Sequence, residues 1–354
     1  MSQGLLMLAL LAATASFAAA GEPGTAGASF LQIGAGPRAI AMGEAQTAVA
    51  DDAYAGYWNP AGLSQLKYPE AAMMHNQMGQ GVAQQYLAYV HPLVPSHAFA
   101  ASLTRLTVGD IESYDAANTR RGSVEASDMA LAFSYSHLVS LTSARAPEVR
   151  LGATGRSIHE TLASHSASTF AGDFGLLFGR FDNAFGDRAR GYRLGLAVRN
   201  LGPGLKFQTE RAPLPRSTSV GLAWDGRPWG DLVTLAFDYK APVDDSASAS
   251  LGLEYWVKRV LALRAGYVTG QSEGLGLRFG MGVRLKRVLI EYALAGFGGL
   301  GDMHRFGFTC RFGGAPDIQE RSAQDFISLG RNYLAQKRYY EAVTEFNRAL
   351  GLDP

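Results

Sequence analysis

The last strand-like segment of the chain, residues 303–312, alternates between two kinds of side chain. Its apolar positions are Phe306, Phe308, Cys310 and Phe312, and the positions between them carry arginine, glycine or threonine. Successive side chains of a β-strand point to opposite faces. One face of this segment is therefore apolar and the other is cationic or small.

The same two-residue period recurs along most of the chain. In residues 274–286, leucine, phenylalanine, methionine and valine alternate with glycine, arginine and lysine. The pattern predicts about 14 strands, of which the first alternates poorly. They span approximately residues 68–78, 82–93, 96–107, 128–140, 148–160, 168–180, 190–201, 216–225, 231–240, 248–258, 259–269, 274–286, 287–296 and 303–312.

An even number of antiparallel strands with one apolar and one polar face is typical of a bacterial outer-membrane β-barrel. The connections agree with this fold class. Very short joins at 258–259 and 286–287 fall on one side, and the longest connections, 108–127 and 202–215, fall on the other. Such barrels have short periplasmic turns and longer outer loops, so we expect the first strand to run outward.

Charged residues on the polar faces are expected to line the lumen, because an arginine facing lipid costs roughly 2–4 kcal/mol at the bilayer centre. The carboxylates Glu44, Asp51 and Asp52 precede the strands and are natural partners for these arginines. We interpret the charges as ion pairs that hold a plug to the wall, in preference to a ligand site. The predicted lumenal charges are Arg193, Arg199, Arg264, Arg278, Arg284, Glu291 and Arg305, with Arg150, Arg156 and Asp173 beside them.

The two ends of the chain differ from the strand region of residues 67–313. Residues 1–20 read as a signal peptide, with a short apolar core and an Ala-Ala-Ala site before Gly21. Residues 319–354 have a helical period and predict one helix pair, which matches the tetratricopeptide (TPR) template. Its signature positions are Leu329, Gly330, Tyr333, Ala342, Phe346, Ala349 and Pro354. Such repeats bind proteins or peptides, so we expect a periplasmic protein partner for this tail.

The composition further restricts the kind of protein that the sequence can encode. Charged residues make up 18% of the chain, below the roughly 25% of a typical soluble domain, and the formal net charge of +1 gives no indication of nucleic-acid binding. One cysteine, Cys310, excludes an internal disulfide. Beyond the N-terminus the sequence has no run of about 18 apolar residues, so a helical membrane protein is not expected.

The sequence offers no catalytic, cofactor or metal motif. Neither G-x-S-x-G nor H-E-x-x-H occurs, and the seven histidines are scattered. The Gly34-Ala35-Gly36 segment superficially matches a dinucleotide-binding fingerprint. Pro37 interrupts that turn, and the chain after it does not predict a βαβ unit. We therefore predict a protein that is not an enzyme.

Residues 21–66 carry a specific resemblance. Their motif positions are Gly34, Gly36, Arg38, Met42, Gly43, Asp51, Asp52 and the turn Asn59, Pro60, Ala61 and Gly62. The segment resembles the N-terminus of the PorV/PorQ family, which belongs with the FadL-like barrels. The resemblance implies that residues 21–66 form a hatch inside the lumen, with the Asn-Pro-Ala-Gly turn as its hallmark. From propensity, residues 43–50 are expected to form a short helix.

Together these features predict an all-β transmembrane barrel with an N-terminal lumenal hatch and a C-terminal α-helical hairpin. The resemblance implies two functions: a role in protein secretion or outer-membrane assembly through protein partners, or FadL-like transport of a hydrophobic ligand. It also implies that outer-membrane lipid surrounds the barrel, and that the insertion machinery reads the aromatic final strand. A soluble secreted all-β protein is the third, less favoured interpretation.

Overall fold

The computed structural model describes residues 24–79, 81–93, 96–139, 147–179, 191–207, 209–228, 230–271, 274–298, 301–313, 323–335 and 339–352. The chain divides into two compact units, Met1–Phe312 and Gly313–Pro354. The predicted signal peptide, residues 1–20, lies outside the described residues. None of the described helices is both long and apolar enough to cross a membrane.

The first unit is a closed barrel of 14 antiparallel strands, as predicted. Neighbours in the chain are neighbours in the sheet, and β1 pairs with β16 to close the wall; a separate hairpin, β8–β9, lies between β7 and β10 in the chain. The strands are β1 Glu70–Gln77, β2 Val82–Leu93, β3 His97–Tyr114, β4 Arg120–Val139, β5 Glu148–Leu162, β6 His165–Gly179, β7 Gly191–Leu201, β8 Leu205–Phe207, β9 Glu210–Ala212, β10 Ser217–Gly226, β11 Leu232–Pro242, β12 Ser248–Val257, β13 Leu261–Val268, β14 Leu277–Leu285, β15 Val288–Gly296 and β16 Asp302–Arg311.

The alternation in sequence becomes two faces of the wall. On β16, Phe306 is 55% exposed on the outside, whereas Arg305 is 3% exposed on the inside. Phe308 and Phe312 are also exposed. In a membrane this apolar exterior lies against lipid, and closure leaves no free sheet edge in the hydrocarbon. At the seam Arg311 donates to Glu70 across the β1–β16 pair at 2.6 Å.

Two strand predictions differ from the structure. Strands β3 and β4 extend well beyond the predicted spans, so most of residues 108–127 forms a long hairpin whose turn is at 115–119. Strand β1 does alternate in burial, but its inward residues Ala72 and Met74 are apolar. They pack on an apolar part of the hatch, and each face of β1 also carries polar residues, Glu70 and Asn76 inside and His75 and Gln77 outside. The two faces therefore differ little in the sequence.

The hatch, residues 24–66, consists of short elements inside the barrel. These are 3₁₀ turns at Ser29–Gln32 and Pro60–Gln65, and helices at Pro37–Ala41 and Ala55–Trp58. Residues 43–50 form turns, so the predicted helix there is wrong; the helix lies earlier, where Pro37 occupies a first-turn position. The largest apolar cluster joins the hatch to inward side chains of β1, β2, β3 and β15.

The second unit contains helices Ala323–Ala335 and Tyr339–Leu352. Gly330 is buried, and a Cβ placed there would lie 2.6 Å from the Phe346 ring. Ala342 and Ala349 are also buried. Tyr333 is half-buried. The Leu329 side chain and Pro354 lie outside the described parts. Two helices are thus present where the sequence predicts them, and the assignment to the TPR class stays a prediction.

The predicted orientation can be tested with the native cysteine removed. In a Cys310→Ser background, we expect Ala117→Cys, in the exposed β3–β4 turn, to react with a membrane-impermeant maleimide on whole cells. Arg287→Cys lies in the exposed turn at the opposite barrel end, and we expect it to react only after the outer membrane is permeabilised. Labelling of Arg287→Cys on intact cells would reverse the orientation.

Candidate functional site: the hatch and the lumen

The Asn-Pro-Ala-Gly turn anchors the hatch to the wall. The Asn59 side chain accepts a hydrogen bond from the Ala61 backbone and so caps the Pro60–Gln65 turn. Its amide donates to the carbonyls of Thr47 at 2.7 Å and of Leu176 on β6 at 3.2 Å. Asn59 is fully buried, and its amide nitrogen and its oxygen both have partners. The motif therefore joins two hatch segments and the barrel at one point.

Inward-facing glycines of the wall let the hatch approach backbone to backbone. A Cβ at any of these positions would collide with the hatch: at Gly152 with the Pro60–Ala61 peptide, at Gly195 with Thr47, and at Gly266 with the Met42–Gly43 peptide. They occur on eight of the 14 strands. We call them the wall glycines: Gly152, Gly175, Gly195, Gly221, Gly252, Gly266, Gly280 and Gly307. Strand β11 has no such glycine; instead Asp238 accepts from the backbone amides of Gln46 at 2.9 Å and Thr47 at 2.7 Å.

The motif residues of the hatch have identifiable packing roles. Gly36 has a φ of 88°, in the left-handed region that glycine tolerates, and lies against the Tyr54 ring. Gly43 has a φ of 67° and touches the backbone of β12 and β13. Gly34 lies against the Trp58 ring, and no residue with a Cβ fits there without displacing it. Met42 and Gly62 are buried within the hatch or against the wall.

Toward the end of the barrel predicted to be periplasmic, Arg38 is the centre of a buried ion network. Its guanidinium pairs with Asp51, with Asp52 at 3.4 Å and with Glu254 of β12 at 2.8 Å. Glu254 is 1% exposed and also accepts from Arg264 at 2.6 Å. The network adjoins a cavity of about 70 Å³.

The network continues along the wall. Arg264 also pairs with Glu291 at 2.8 Å. Arg193 pairs with Asp225 at 2.7 Å, and its other terminal nitrogen lies 3.9 Å from Asp51. Arg284 lines the same cavity and lies over the Trp256 ring, 4.3 Å from its centroid.

This geometry changes the expected pairing of the hatch carboxylates. The sequence suggested that Asp51 and Asp52 pair directly with lumenal arginines. In the structure their principal partner is Arg38 of the hatch itself, and only the 3.9 Å approach of Arg193 to Asp51 crosses to the wall. Arg38 is the residue that links these carboxylates to the barrel, through Glu254.

Toward the opposite, outer end, Glu44 is the hatch carboxylate that meets the wall. It accepts from Arg278 of β14 at 2.7 Å and lies 4.0 Å from Lys240 of β11. Arg305 donates to the carbonyl of Gly34. Arg199 lies over the Tyr57 ring, 5.4 Å from its centroid. A second cavity, of about 200 Å³, lies beside Glu44, and its lining shares no residue with the first.

Three further residues matter that the sequence did not single out, the wall carboxylates Asp225, Asp238 and Glu254. Arg38 is a predicted motif position of the hatch, but its role at the centre of the charge network was not predicted. Strand register accounts for one of these carboxylates. The three-residue turn at 258–260 joins β12 to β13 and places Glu254 opposite Arg264. Arg156 of β5 and Asp173 of β6 pair with each other, and Arg156 also lies over the Tyr57 ring of the hatch, 6.0 Å from its centroid.

The comparisons with known proteins agree with this architecture. A family model described as type IX secretion system protein PorV matches residues 21–225, more than half of the 354-residue chain. The chain belongs to the PorV family. None of the curated proteins matches the sequence.

Solved structures with the same fold include a monoaromatic hydrocarbon channel and a toluene transporter. The CymD monoaromatic hydrocarbon channel has a TM-score of 0.55 and 13% identity, covering 80% of this chain and 99% of that chain. The toluene transporter TbuX of Ralstonia pickettii has a TM-score of 0.52 and 14% identity, covering 79% of this chain and 99% of that chain. At these identities the likeness shows the fold. Family and fold together indicate an outer-membrane barrel.

The described charged residues of this PorV-family barrel form ion pairs and hydrogen bonds. Among the described residues, no group of three or more His, Cys, Asp or Glu side chains is arranged to hold a metal ion. Burial in the lumen raises the pKa of Asp52 to about 7, because the nearby charge of Arg38 only partly offsets the loss of water. Burial also acts on Glu44, but Arg278 and Lys240 outweigh it and lower the pKa of Glu44 to about 2.

These opposite pKa shifts predict opposite pH effects on stability. The folded protein keeps a proton on Asp52 between about pH 4 and 7, where the unfolded chain has lost it, so stability from this group falls as pH rises through that window. We expect Asp52→Asn to raise the free energy of unfolding at pH 8 by about 1 kcal/mol or more, with little change at pH 4. Asparagine retains an oxygen that can accept from the Tyr54 amide.

Glu44→Gln is the matched control for this prediction. Because the pKa of Glu44 is lowered in the folded protein, the Glu44 carboxylate stabilises the fold above about pH 4.5, and this stabilisation is lost as pH falls toward 2. Glu44→Gln should therefore lower the free energy of unfolding at neutral pH. Urea unfolding in detergent micelles at pH 4 and pH 8 measures both. The same pH dependence in Asp52→Asn as in the unsubstituted protein would contradict the assignment to Asp52.

Proposed function

We propose that this protein is a non-enzymatic outer-membrane component that acts through protein partners, in protein secretion or outer-membrane assembly. The observation that carries the proposal is the closeness of hatch and wall. The hatch contacts inward-facing glycines on eight strands, on six of them through its backbone, and these contacts restrict its sideways movement. Displacing it would break buried hydrogen bonds and ion pairs at several positions at once.

Membership of the PorV family supports this role. The matching model is described as a type IX secretion system protein. A barrel whose hatch makes this many fixed contacts is better suited to docking a protein at the membrane than to passing a ligand. The helix pair after residue 313 supplies a second segment for contact with a protein, and we propose that it binds a partner in the periplasm.

A second function, passage of a hydrophobic small molecule, has its own support. The barrel shares its fold with a monoaromatic hydrocarbon channel and a toluene transporter. An apolar cluster also joins Phe30 and Leu31 of the hatch to the outer halves of several strands, including Leu106 on β3, Ile158 on β5 and the nearby Leu214. A hydrophobic ligand that entered from outside would first meet the hatch at this cluster. In the structure the side chains of Phe30 and Leu31 fill that space.

Native mass spectrometry of the protein, gently solubilised from its own outer membrane, tests the two functions. For the proposed role we expect a stoichiometric protein partner, and we expect a variant ending at residue 318 to lose a partner that binds through the tail. A reproducible added mass of a few hundred daltons that survives delipidation, without a protein partner, would overturn the proposal in favour of hydrophobic transport. A barrel with neither partner nor ligand would also overturn it.

A further inference from the structure

Three histidines and two tyrosines form a cluster on the outside of the barrel, near the end predicted to be periplasmic. They lie on the outward faces of β2, β3 and β4, where Phe99 is 49% exposed, whereas its neighbour in the chain Ala98 is fully buried on the inner face. The members of the cluster are Tyr89, His91, His97, Tyr135 and His137. Aromatic side chains are usual at a membrane interface, so the histidines are the part of the cluster that needs an explanation.

His97 and His137 lie opposite each other on β3 and β4. They are 40 positions apart in the chain but are direct partners in the register of this antiparallel pair. Their rings stack at 22° with centroids 4.4 Å apart, and their Nδ1 atoms are 3.1 Å apart. The Tyr135 hydroxyl lies 2.7 Å from the same Nδ1 of His97. Three polar atoms therefore meet at one point on the barrel surface.

This convergence exceeds what hydrogen bonding at one nitrogen can satisfy. A neutral imidazole nitrogen carries either one proton or one lone pair, so Nδ1 of His97 can make one well-aligned hydrogen bond. Two groups approach that atom, the Tyr135 hydroxyl and Nδ1 of His137. An ion that accepts an electron pair from each imidazole would satisfy both rings.

The spacing of the two imidazoles fits a shared metal ion. A zinc ion lies about 2.0–2.1 Å from a histidine nitrogen. Two such nitrogens, at the roughly 90–110° angles of four-coordinate sites, are roughly 3.0–3.4 Å apart. The 3.1 Å between the Nδ1 atoms of His97 and His137 lies in this range. Because both strands belong to a closed sheet, the backbone fixes the spacing of the pair before an ion binds.

The position of the pair gives an ion access to it. His97 is the first residue of β3, and His137 lies near the end of β4, so the pair is at the rim of the barrel. Both side chains are half-buried. The rim of a membrane barrel lies near the boundary between lipid and water, where an ion from solution can reach the two nitrogens.

We propose that His97 and His137 form a binding site for a divalent transition metal ion, zinc or copper(II), on the outer surface of the barrel. Imidazole nitrogens suit these ions, whereas calcium and magnesium take oxygen ligands. No described group offers three or more His, Cys, Asp or Glu ligands, and this site has two, so water and the Tyr135 hydroxyl fill the remaining positions. The site uses no residue of the lumen and is additional to the proposed role with protein partners.

The test uses the full-length barrel in detergent micelles, purified without a polyhistidine tag and stripped of metal with EDTA. The probes are Zn²⁺ and Cu²⁺, with Mg²⁺ and Ca²⁺ as negative controls, and calorimetry gives affinity and stoichiometry. Electron paramagnetic resonance of the Cu²⁺-loaded barrel counts the nitrogen ligands. We expect one ion per barrel, tighter binding of Cu²⁺ than of Zn²⁺ in the usual order of affinities, and hyperfine structure from two nitrogens.

Substitutions separate this pair from the other histidines. His97→Asn and His137→Asn should each weaken Cu²⁺ binding by about tenfold or more, because two ligands on one rigid wall give a high effective concentration that a single imidazole lacks. His91→Asn is the matched control and should bind normally. His91 lies on the same face of β2, and its Nδ1 is 3.0 Å from the Tyr89 hydroxyl. The heat-shifted gel mobility of each variant shows that its barrel is folded.

Three results would overturn the proposal. The first is Cu²⁺ and Zn²⁺ binding that is absent, or as weak in the unsubstituted protein as in His97→Asn. The second is a loss of affinity in His91→Asn equal to that in His137→Asn, which would assign the ion to the histidines in general. The third is a spectrum with one nitrogen ligand. None of these results depends on whether a protein partner is found, so the site and the proposed function are tested separately.

Discussion

Gly152→Val should displace the hatch from its position against the barrel wall. Gly152 is one of the wall glycines on β5, and a Cβ there would collide with the peptide between Pro60 and Ala61. Neither partner can move easily, because one is the barrel wall and the other is the turn anchored by Asn59. Overpacking of a filled interior typically costs about 1–3 kcal/mol, and backbone against backbone belongs at the upper end.

The strand itself should tolerate the change. Valine has a higher β-propensity than glycine, so the substitution favours strand β5 itself while it blocks the position of the hatch. We expect a raised single-channel conductance in planar bilayers and faster trypsin cleavage at Lys67, just after the hatch, in the folded barrel. Both measurements report on the hatch rather than on barrel assembly.

Gly155→Val is a matched control on the same strand. Gly155 points outward, is exposed, and has open space where a Cβ would be placed. A valine there adds apolar surface on the lipid side, so conductance and trypsin sensitivity should match those of the unsubstituted protein. Equal conductance in Gly152→Val and Gly155→Val would show that the hatch does not rely on the wall glycines.

The barrel was predictable because the membrane imposes a local rule on its wall. Lipid-facing positions are predominantly apolar, so the two-residue period of β14 and β16 can be recognised in the sequence even when the neighbouring strands are unknown. The arginines of the polar faces followed from the same rule, and Arg264, Arg278 and Arg305 are buried on the inner face. The rule failed on β1, because the lumen facing Ala72 and Met74 is apolar too.

The path of the hatch was not predictable from local signals. Residues 43–50 have helical propensity, but Gly43 has a φ of 67° and the turn after it follows the backbone of β12 and β13. That shape is set by wall glycines about 150 or more positions away in the chain, such as Gly195 and Gly266. For the same reason Arg38 carried no sign of its role: its partner Glu254 is separated from it by 216 positions.

The hatch is attached to the wall by different contacts in the two halves of the lumen. The difference indicates which single side chain contributes most. Toward the outer end, Glu44 and Arg305 each tie the hatch to the wall by one charged hydrogen bond. At the opposite end, Arg38 joins two hatch carboxylates to Glu254, and Arg193 of the wall approaches Asp51 at 3.9 Å. Loss of Arg38 therefore leaves three carboxylates with reduced compensation, whereas loss of Asp51 leaves Arg38 still bound to Glu254.

Arg38→Gln should accordingly destabilise the folded protein by about 3–5 kcal/mol, the usual cost of breaking a buried ion pair. We expect a lower temperature for the heat-induced gel shift and a raised single-channel conductance. Arg121→Gln is the matched control. It removes an arginine that also pairs with an aspartate, Asp115 at 2.9 Å, but Arg121 is 69% exposed, and such pairs contribute only about 0–1 kcal/mol.

A double variant separates this pairing from a general loss of packing. In Arg38→Gln with Glu254→Gln, the wall carboxylate that has lost one of its two arginine partners is gone, while Arg264 keeps Glu291 at 2.8 Å. We therefore expect the double variant to be more stable than the sum of the two single losses predicts, by about 1 kcal/mol or more, as residues in one ion network are coupled. Strict additivity, or an Arg38→Gln protein as stable as Arg121→Gln, would mean that the hatch is held by the wall glycines and hydrogen bonds without this pair.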